Sequence, residues 1–460
     1  MALSTRQEPA RAVAPAREHR LGTAQGTALF VGAVLGPGVL ALPHLAAEAA
    51  GPASIFAWAA LLVLSAPVAL TFAALGSRYP DGGGVATFAG RAFGPRIAAI
   101  VGWWFYGIVP VGTLAGALIG GDYVTSAVGG GRPWAVVVAV ALLAAAFATN
   151  HGGLRMSGRV QVVLVGGLAV LLTTAIVTAG PRLSWGNFVP FAPHGALGVV
   201  HAAGVLFFAF AGWEAASHLS GEFADPRRSM LRATTLTLLV VGVLYLGLVV
   251  TVLGVLGGRA ATSPVPLALL LQEGIGAGAR TATGVVAVIL SFIAVNTYIA
   301  GGARLGAARA RDGALPAPLA KGAAAGQVPH RSLGLLAALT ALVTAVAVPY
   351  GLGLDTLMRA TAACLAAVTV VGTASAVRLL PGGDRRGRAL AAAATVFTGL
   401  VLLSCGAYLL LPVALAAGAV LAVRRRIANP SGGATDARRG PAQDVPEARR
   451  TPPSRRDEEC

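Results

Sequence analysis

Ionisable side chains are scarce in this sequence, and their scarcity sets its class. Asp, Glu, Lys and Arg make up 12% of the 460 residues, apolar types make up 56%, and the mean hydropathy is +0.74. A water-soluble fold cannot cover so much apolar surface with so little polar surface, so the chain belongs in a lipid bilayer. Cysteine is nearly absent: Cys364, Cys405 and Cys460 fall in two apolar runs and the terminal stretch, with neither metal-ligand spacing nor an evident pairing, which leaves them as packing residues. Also missing are a dinucleotide fingerprint, a phosphate-binding loop and paired metal-binding histidines, and no Cys, His or Asp/Glu cluster supplies a nucleophile or metal at membrane depth. Enzyme chemistry, cofactors and resident metals are therefore not expected. The many GxxxG matches are packing devices in such a chain.

What the sequence has in quantity is long apolar runs. Split at charges and at Gly/Pro clusters, they predict helices near 27 to 49, 54 to 77, 97 to 128, 134 to 150, 160 to 180, 197 to 219, 231 to 257, 280 to 303, 333 to 350, 354 to 377 and 388 to 423. The last run exceeds one span of roughly 20 residues and divides around Gly406, so twelve membrane helices are expected.

Arginine placement tests that count. With the N-terminus inside, thirty of the basic residues fall in cytoplasmic loops and tails, among them Arg78, Arg91, Arg96, Arg227, Arg228, Arg304, Lys321, Arg378 and Arg385, and only Arg132, Arg182, Arg259 and Arg280 face outward. Arg359 alone is left about one turn inside a helix near the outer face, where snorkelling to the interface is the expectation. The asymmetry predicts both termini in the cytoplasm. It also explains the net charge of +17 as orientation in a membrane, with no nucleic-acid partner implied. The first 26 residues carry four arginines and no compact apolar core, so the first helix is expected to persist as a signal anchor.

The first run contains GAVLGPGVLALP, Gly32 to Pro43, with Gly36-Pro37-Gly38 near mid-membrane. Proline removes a backbone donor and the glycines weaken helical geometry, so this helix is expected to break. Irregular backbone survives at that depth only when it is buried in protein or lines a cavity. The two half-helix ends then offer a positive pole for a carboxylate and free carbonyls for an ammonium group or cation, which suits an amino acid; the alternative is a kink whose glycines only allow close packing. The sixth run repeats the device in VLFFAFAGWEAASHLSGEF, Val205 to Phe223, where Gly212 and the ionisable Glu214 share one stretch and His218 follows as a structural polar contact. Trp103, Trp104 and Tyr106 are placed in an interfacial aromatic belt, and Ser291 and Asn296 in bonds between helices.

Breaks in helices one and six are what an inverted repeat of five plus five helices produces. On these features, together with Arg78-Tyr79-Pro80 followed by GGG and Phe88, the run into Asp225-Pro226-Arg227-Arg228, and RARDGALP after helix eight, residues Leu21 to about Arg424 resemble the amino acid-polyamine-organocation superfamily. LGTAQGTALF, GWWFYGIVPVG and GWEAASHLSGEF resemble its bacterial branch that exports L-methionine and branched-chain amino acids. The resemblance implies an all-α integral membrane protein with the leucine-transporter-like fold, in a bacterial plasma membrane. It implies a secondary transporter of neutral hydrophobic amino acids (methionine, leucine, isoleucine, valine), exporting by alternating access, with an importer of similar substrates as the rival. A domain over 21-426 would be flanked by disordered tails at 1-20 and 427-460.

Carried over residue by residue, Ala33, Val34, Gly36, Pro37, Gly38 and Val39 match the cradle for the substrate's carboxylate and amino group. Phe208, Ala209, Ala211 and Gly212 match the helix-six face that meets the side chain, with Phe208 as a gating aromatic and Glu214 bracing the unwound segment. Pro37 departs from the Ser or Thr common in relatives and shifts the load to Gly36 and Gly38. Many proton-coupled relatives carry a lysine on helix five, where this chain has Val165-Gly166-Gly167, so the resemblance implies a coupling proton or cation without carrying over its ligands. The small residues around the break imply a pocket for an aliphatic or thioether side chain.

Overall fold

The computed structural model describes residues 22–79, 84–153, 158–210, 212–213, 223, 225–322 and 327–428. Ala211, Glu214, His218 and the terminal tails lie outside the described residues. The described elements are all helical. In chain order they are α1 (Thr23–Val34), α2 (Gly38–Ala50), α3 (Ser54–Arg78), α4 (Gly84–Phe93), α5 (Pro95–Val128), α6 (Arg132–His151), α7 (Gly158–Ala179) and α8 (Gly195–Phe210). The second half holds α9 (Pro226–Leu256), α10 (Arg259–Thr262), α11 (Pro266–Ile275), α12 (Ala279–Arg311), α13 (His330–Ala347), α14 (Leu354–Leu379), α15 (Arg385–Ser404) and α16 (Leu410–Ala428).

Ten helical stretches are long and apolar enough to cross a membrane, the first being Gly38–Arg78, which joins α2 to α3 through a turn at Gly51. The shorter apolar helices are α1, α8 and α11. The final apolar run divides where expected, at Gly406, whose φ of +56° favours glycine. Besides the single turn of α10, two helices lie outside the expected runs. One is α4, ten residues in an arginine-containing loop that bury Val85, Phe88 and Ala89. The other is α11, ten residues started by Pro266 and ended at Gly276.

The helices pack in two groups. In one, α1 and α2 lie against α9 and α8, and α3 contacts both; in the other, α5 packs along α12, with α6 and α13 beside them. Small residues allow the close approaches: at Gly121 a side chain would run into the Ala135 backbone, so α5 and α6 meet main chain to main chain. α14 lies between the groups and touches α3, α5 and α8.

Interhelical contacts show which loops share an end. Arg78 pairs with Asp384 at 3.4 Å, Arg378 donates to the Ala92 carbonyl at 3.3 Å, and the Trp103 indole donates to the Ala314 carbonyl at 2.7 Å, so the loops near 78–96, 304–332 and 378–388 gather at one end. At the other, Ala53 donates to Phe191 at 2.8 Å and Arg259 pairs with Glu273 at 2.8 Å.

Three local expectations change. Tyr106 is buried and donates to the Ser332 carbonyl at 3.1 Å, and Trp104 donates to the Pro412 carbonyl at 2.7 Å. With Trp103 these aromatics tie helices together, because each polar tip finds a carbonyl inside the protein. Arg359 does not snorkel. Its Nε lies 2.7 Å and 2.8 Å from the two oxygens of Asp355, and Nη1 donates to the His201 carbonyl on α8 at 2.9 Å. Asn296 Oδ1 accepts from Asn150 at 2.8 Å, an interhelical bond as expected, whereas the Ser291 hydroxyl is buried with no partner among the described residues.

Candidate functional site

The break between α1 and α2 follows from two backbone bonds that are not made. In a continuous helix Ala33 O would accept from residue 37, but that residue is proline and has no N–H. Val34 O would accept from Gly38; instead it accepts the Tyr245 hydroxyl from α9 at 2.8 Å. The chain turns at Leu35 (ψ +54°), and α2 restarts with Val39 N–H on Gly36 O at 3.2 Å and Leu40 N–H on Pro37 O at 3.0 Å. Among the described residues, no backbone carbonyl accepts from the N–H of Gly36 or Gly38. These donors stand at the N-terminal, positive end of α2, opposite the carbonyls that end α1.

A cavity of about 600 Å³, counted out to its open side, adjoins this break. Ala33, Val34, Gly36, Pro37, Gly38 and Val39 form one wall, and Phe208 and Ala209 form another, so eight of the residues singled out from the sequence meet around one space. Gly212 sits behind them: its φ is +134°, and a side chain there would lie 2.6 Å from Ala33 O and 3.4 Å from Val34 Cα. Gly212 thus touches the first break at its freed carbonyl, an approach open only to glycine. Phe208 covers Gly38, where an added Cβ would be 2.9 Å from the ring.

The remaining walls were not legible in advance. They come from Ile108, Gly112, Thr113 and Gly116 on α5, Tyr245 on α9, Ala294, Val295 and Tyr298 on α12, and Thr361 on α14. The i, i+4 spacing of Gly112 and Gly116 marked a close approach, and a tyrosine alone in the run 231 to 257 marked a hydroxyl in need of a partner. Neither signal says which helix is approached.

Polarity in the cavity is sparse. No Asp, Glu, Lys, Arg or His is among the described lining residues. Thr113 and Thr361 bond to their own helices, at 2.7 Å to Val109 O and 2.9 Å to Leu357 O. The backbone at the break and the Tyr298 hydroxyl are therefore the main polar features of the cavity, within apolar walls. On α7, Val165 packs directly on Gly32, so the helix-five position that faces α1 is aliphatic.

Comparisons with known proteins show the family. The profile of the family described as amino acid permease matches residues 21–427. The uncharacterized amino acid permease YecA of Bacillus subtilis is 32% identical over 394 residues, covering 85% of this chain and 92% of that protein. The L-methionine/branched-chain amino acid exporter YjeH of Escherichia coli is 36% identical over 293 residues, covering 63% and 69%. The branched-chain amino acid permease BcaP of Bacillus subtilis is 27% identical over 329 residues, covering 66% and 70%.

Proposed function

The chain belongs to the amino acid permease family, whose members are membrane transporters rather than enzymes, and on that premise we propose that it is a twelve-span secondary transporter of neutral hydrophobic amino acids. The observation that carries the reading is the pair of uncommitted N–H groups at Gly36 and Gly38, set in the wall of a cavity lined by no charged side chain. The N–H groups hold the substrate carboxylate, the carbonyls ending α1 hold its ammonium group, and Ile108, Phe208, Ala209 and Ala294 surround an aliphatic or thioether side chain. A cationic or anionic side chain would enter this space without a counter-charge, at the high cost of burying an unpaired charge.

Alternating access follows from the same parts. The two breaks touch at Gly212 and Ala33, so the halves of helices one and six move about one point, while α5 and α12 form the frame against which they move. The two packing groups are what a five-plus-five inverted repeat produces, and the twelve crossings comprise the long helices together with the broken first and sixth. Glu214 braces the second break. A proton or cation couples the flux without a lysine on α7, since Val165 fills that place.

Export is favoured by the likeness to an exporter of methionine and branched-chain amino acids; import is the second reading, favoured by the likeness to a branched-chain permease. Both keep the same substrate class. Counterflow of labelled methionine in proteoliposomes, with unlabelled leucine, isoleucine, valine, arginine and glutamate as competitors, tests that class. The first three should compete and the last two should not. Competition by arginine or glutamate equal to that by leucine would sink the reading. Cells overproducing the protein should hold less methionine if it exports and more if it imports.

A further inference from the structure

A second opening, of about 850 Å³ counted to its open side, lies at the arginine-rich end of the bundle, where the last turns of α3 meet the first turns of α9 and α15. Its floor is apolar: Leu70 and Ala74 come from α3, and Leu231, 50% exposed, from α9. Its polar rim is Ser77 and Arg78 from the end of α3 and Asp384 from the start of α15, with the Ser77 hydroxyl spent on the Ala74 carbonyl at 3.0 Å.

These two charges are loosely engaged. They stand 3.4 Å apart with side chains 34% and 36% exposed, whereas Arg359 and Asp355 meet at 2.7 Å. A pair this long and this exposed contributes little, so each partner is open to a better ligand. Asp384 uses Oδ1 to cap α15, accepting from Gly387 N–H at 2.9 Å, and Oδ2 is the oxygen turned toward Arg78. Among the described residues Arg78 donates only through Nη2, so most of its guanidinium fork is uncommitted.

A molecule that fits must carry an anion for the fork, an N–H-bearing cation a short distance away for the carboxylate, and a hydrocarbon chain for the floor. We propose that this groove binds phosphatidylethanolamine, with the phosphate on Arg78 and the primary ammonium on Asp384. Basic pockets between membrane helices are suited to phospholipid headgroups, and a planar guanidinium matches phosphate oxygens. The carboxylate selects among lipids. Phosphatidylcholine presents the same phosphate but a cation with no N–H, and phosphatidylglycerol brings no cation to meet Asp384. On the orientation that the arginine asymmetry predicts, the lipid belongs to the inner leaflet. It lies beside the cluster of Phe30, Ala73, Phe223, Met230 and Ala233 that seats α1 on α3 and α9, so its occupancy bears on the helix that carries the first break.

Native mass spectrometry of the full-length protein, offered equal amounts of phosphatidylethanolamine, phosphatidylcholine and phosphatidylglycerol with identical acyl chains, tests the assignment. Loss of one charge-assisted hydrogen bond should separate retention of phosphatidylethanolamine from phosphatidylcholine by roughly tenfold. Asp384→Asn keeps a side chain able to cap α15 but removes the charge, and should bring that ratio to about one. Arg78→Gln should lower retention of all three lipids. Equal retention of phosphatidylethanolamine and phosphatidylcholine by the unaltered protein overturns the assignment. So does preference for phosphatidylglycerol, or selectivity that survives Asp384→Asn. Each outcome is read without transport, so failure here leaves the proposed substrate class standing.

Discussion

At Gly38 the absence of one side chain serves two ends. The residue restarts α2 with an uncommitted N–H, and it leaves room for the Phe208 ring, 2.9 Å from where a Cβ would stand. Gly38→Leu should abolish methionine counterflow while leaving membrane insertion intact, because the segment stays apolar. Unchanged counterflow in the purified variant would remove the break from the site. Tyr245 is the complementary case. Tyr245→Phe keeps the ring against Trp58, at a centroid distance of 4.9 Å, but removes the donor from Val34 O and leaves a buried carbonyl unsatisfied, worth about 1–3 kcal/mol. Counterflow should fall about tenfold with protein yield unchanged, and full activity would show that Val34 O is held by other means. Gly36-Pro37-Gly38 could be read from the sequence because a missing N–H and a permissive φ are local properties of the residues themselves. Tyr245 could not, since nothing local says which carbonyl, 211 residues away, has lost its helical partner.

Whole elements were legible in proportion to their length. An apolar run long enough to cross a bilayer has few alternatives, and the ends of α3, α5, α6 and α14 fall within two residues of expectation, whereas α9 starts five residues early and α12 runs eight residues past its apolar run, because charged residues at a helix end carry no hydropathy signal. Short elements escape this logic: α4 buries one face in a charged loop, and α11 is set by its flanking Pro266 and Gly276 rather than by an apolar run. Arg359 escaped for another reason. Snorkelling is what one arginine near a membrane surface does in isolation, whereas here Asp355 one turn earlier and a carbonyl on a neighbouring helix hold its side chain at 17% exposure. The contact fastens α14 to α8, the helix that carries Phe208 and Ala209 into the cavity wall. Arg359→Gln should therefore loosen the start of α8, and amide hydrogen exchange over residues 195–205 should quicken by about tenfold, as loss of one charge-assisted bond allows. Unchanged exchange would mean that packing alone holds α8 in place.

For the molecule as a whole, two independent arguments bear on orientation. Contacts such as Arg78–Asp384, Arg378–Ala92 and Trp103–Ala314 bring three loops, distant in sequence, to the same end of the bundle, and this is a matter of geometry alone. Which side of the membrane that end faces is a matter of charge: the three loops hold most of the arginine found between helices, and positively charged loops are retained in the cytoplasm. Single-cysteine variants separate the two arguments. In a background with Cys364, Cys405 and Cys460 changed to serine, Arg96→Cys, Ala317→Cys and Gly382→Cys should resist a membrane-impermeant maleimide in intact cells and react once the cells are permeabilised. Ser184→Cys, Thr262→Cys and Tyr350→Cys, at the opposite end, should react from outside without permeabilisation. If all six results invert, the shared end stands and the charge argument has failed, so the substrate path would run in the opposite sense to the one proposed. If a single member of the first three reacts from outside while the other two do not, the contacts that gather those loops are wrong, and the helix count falls with them.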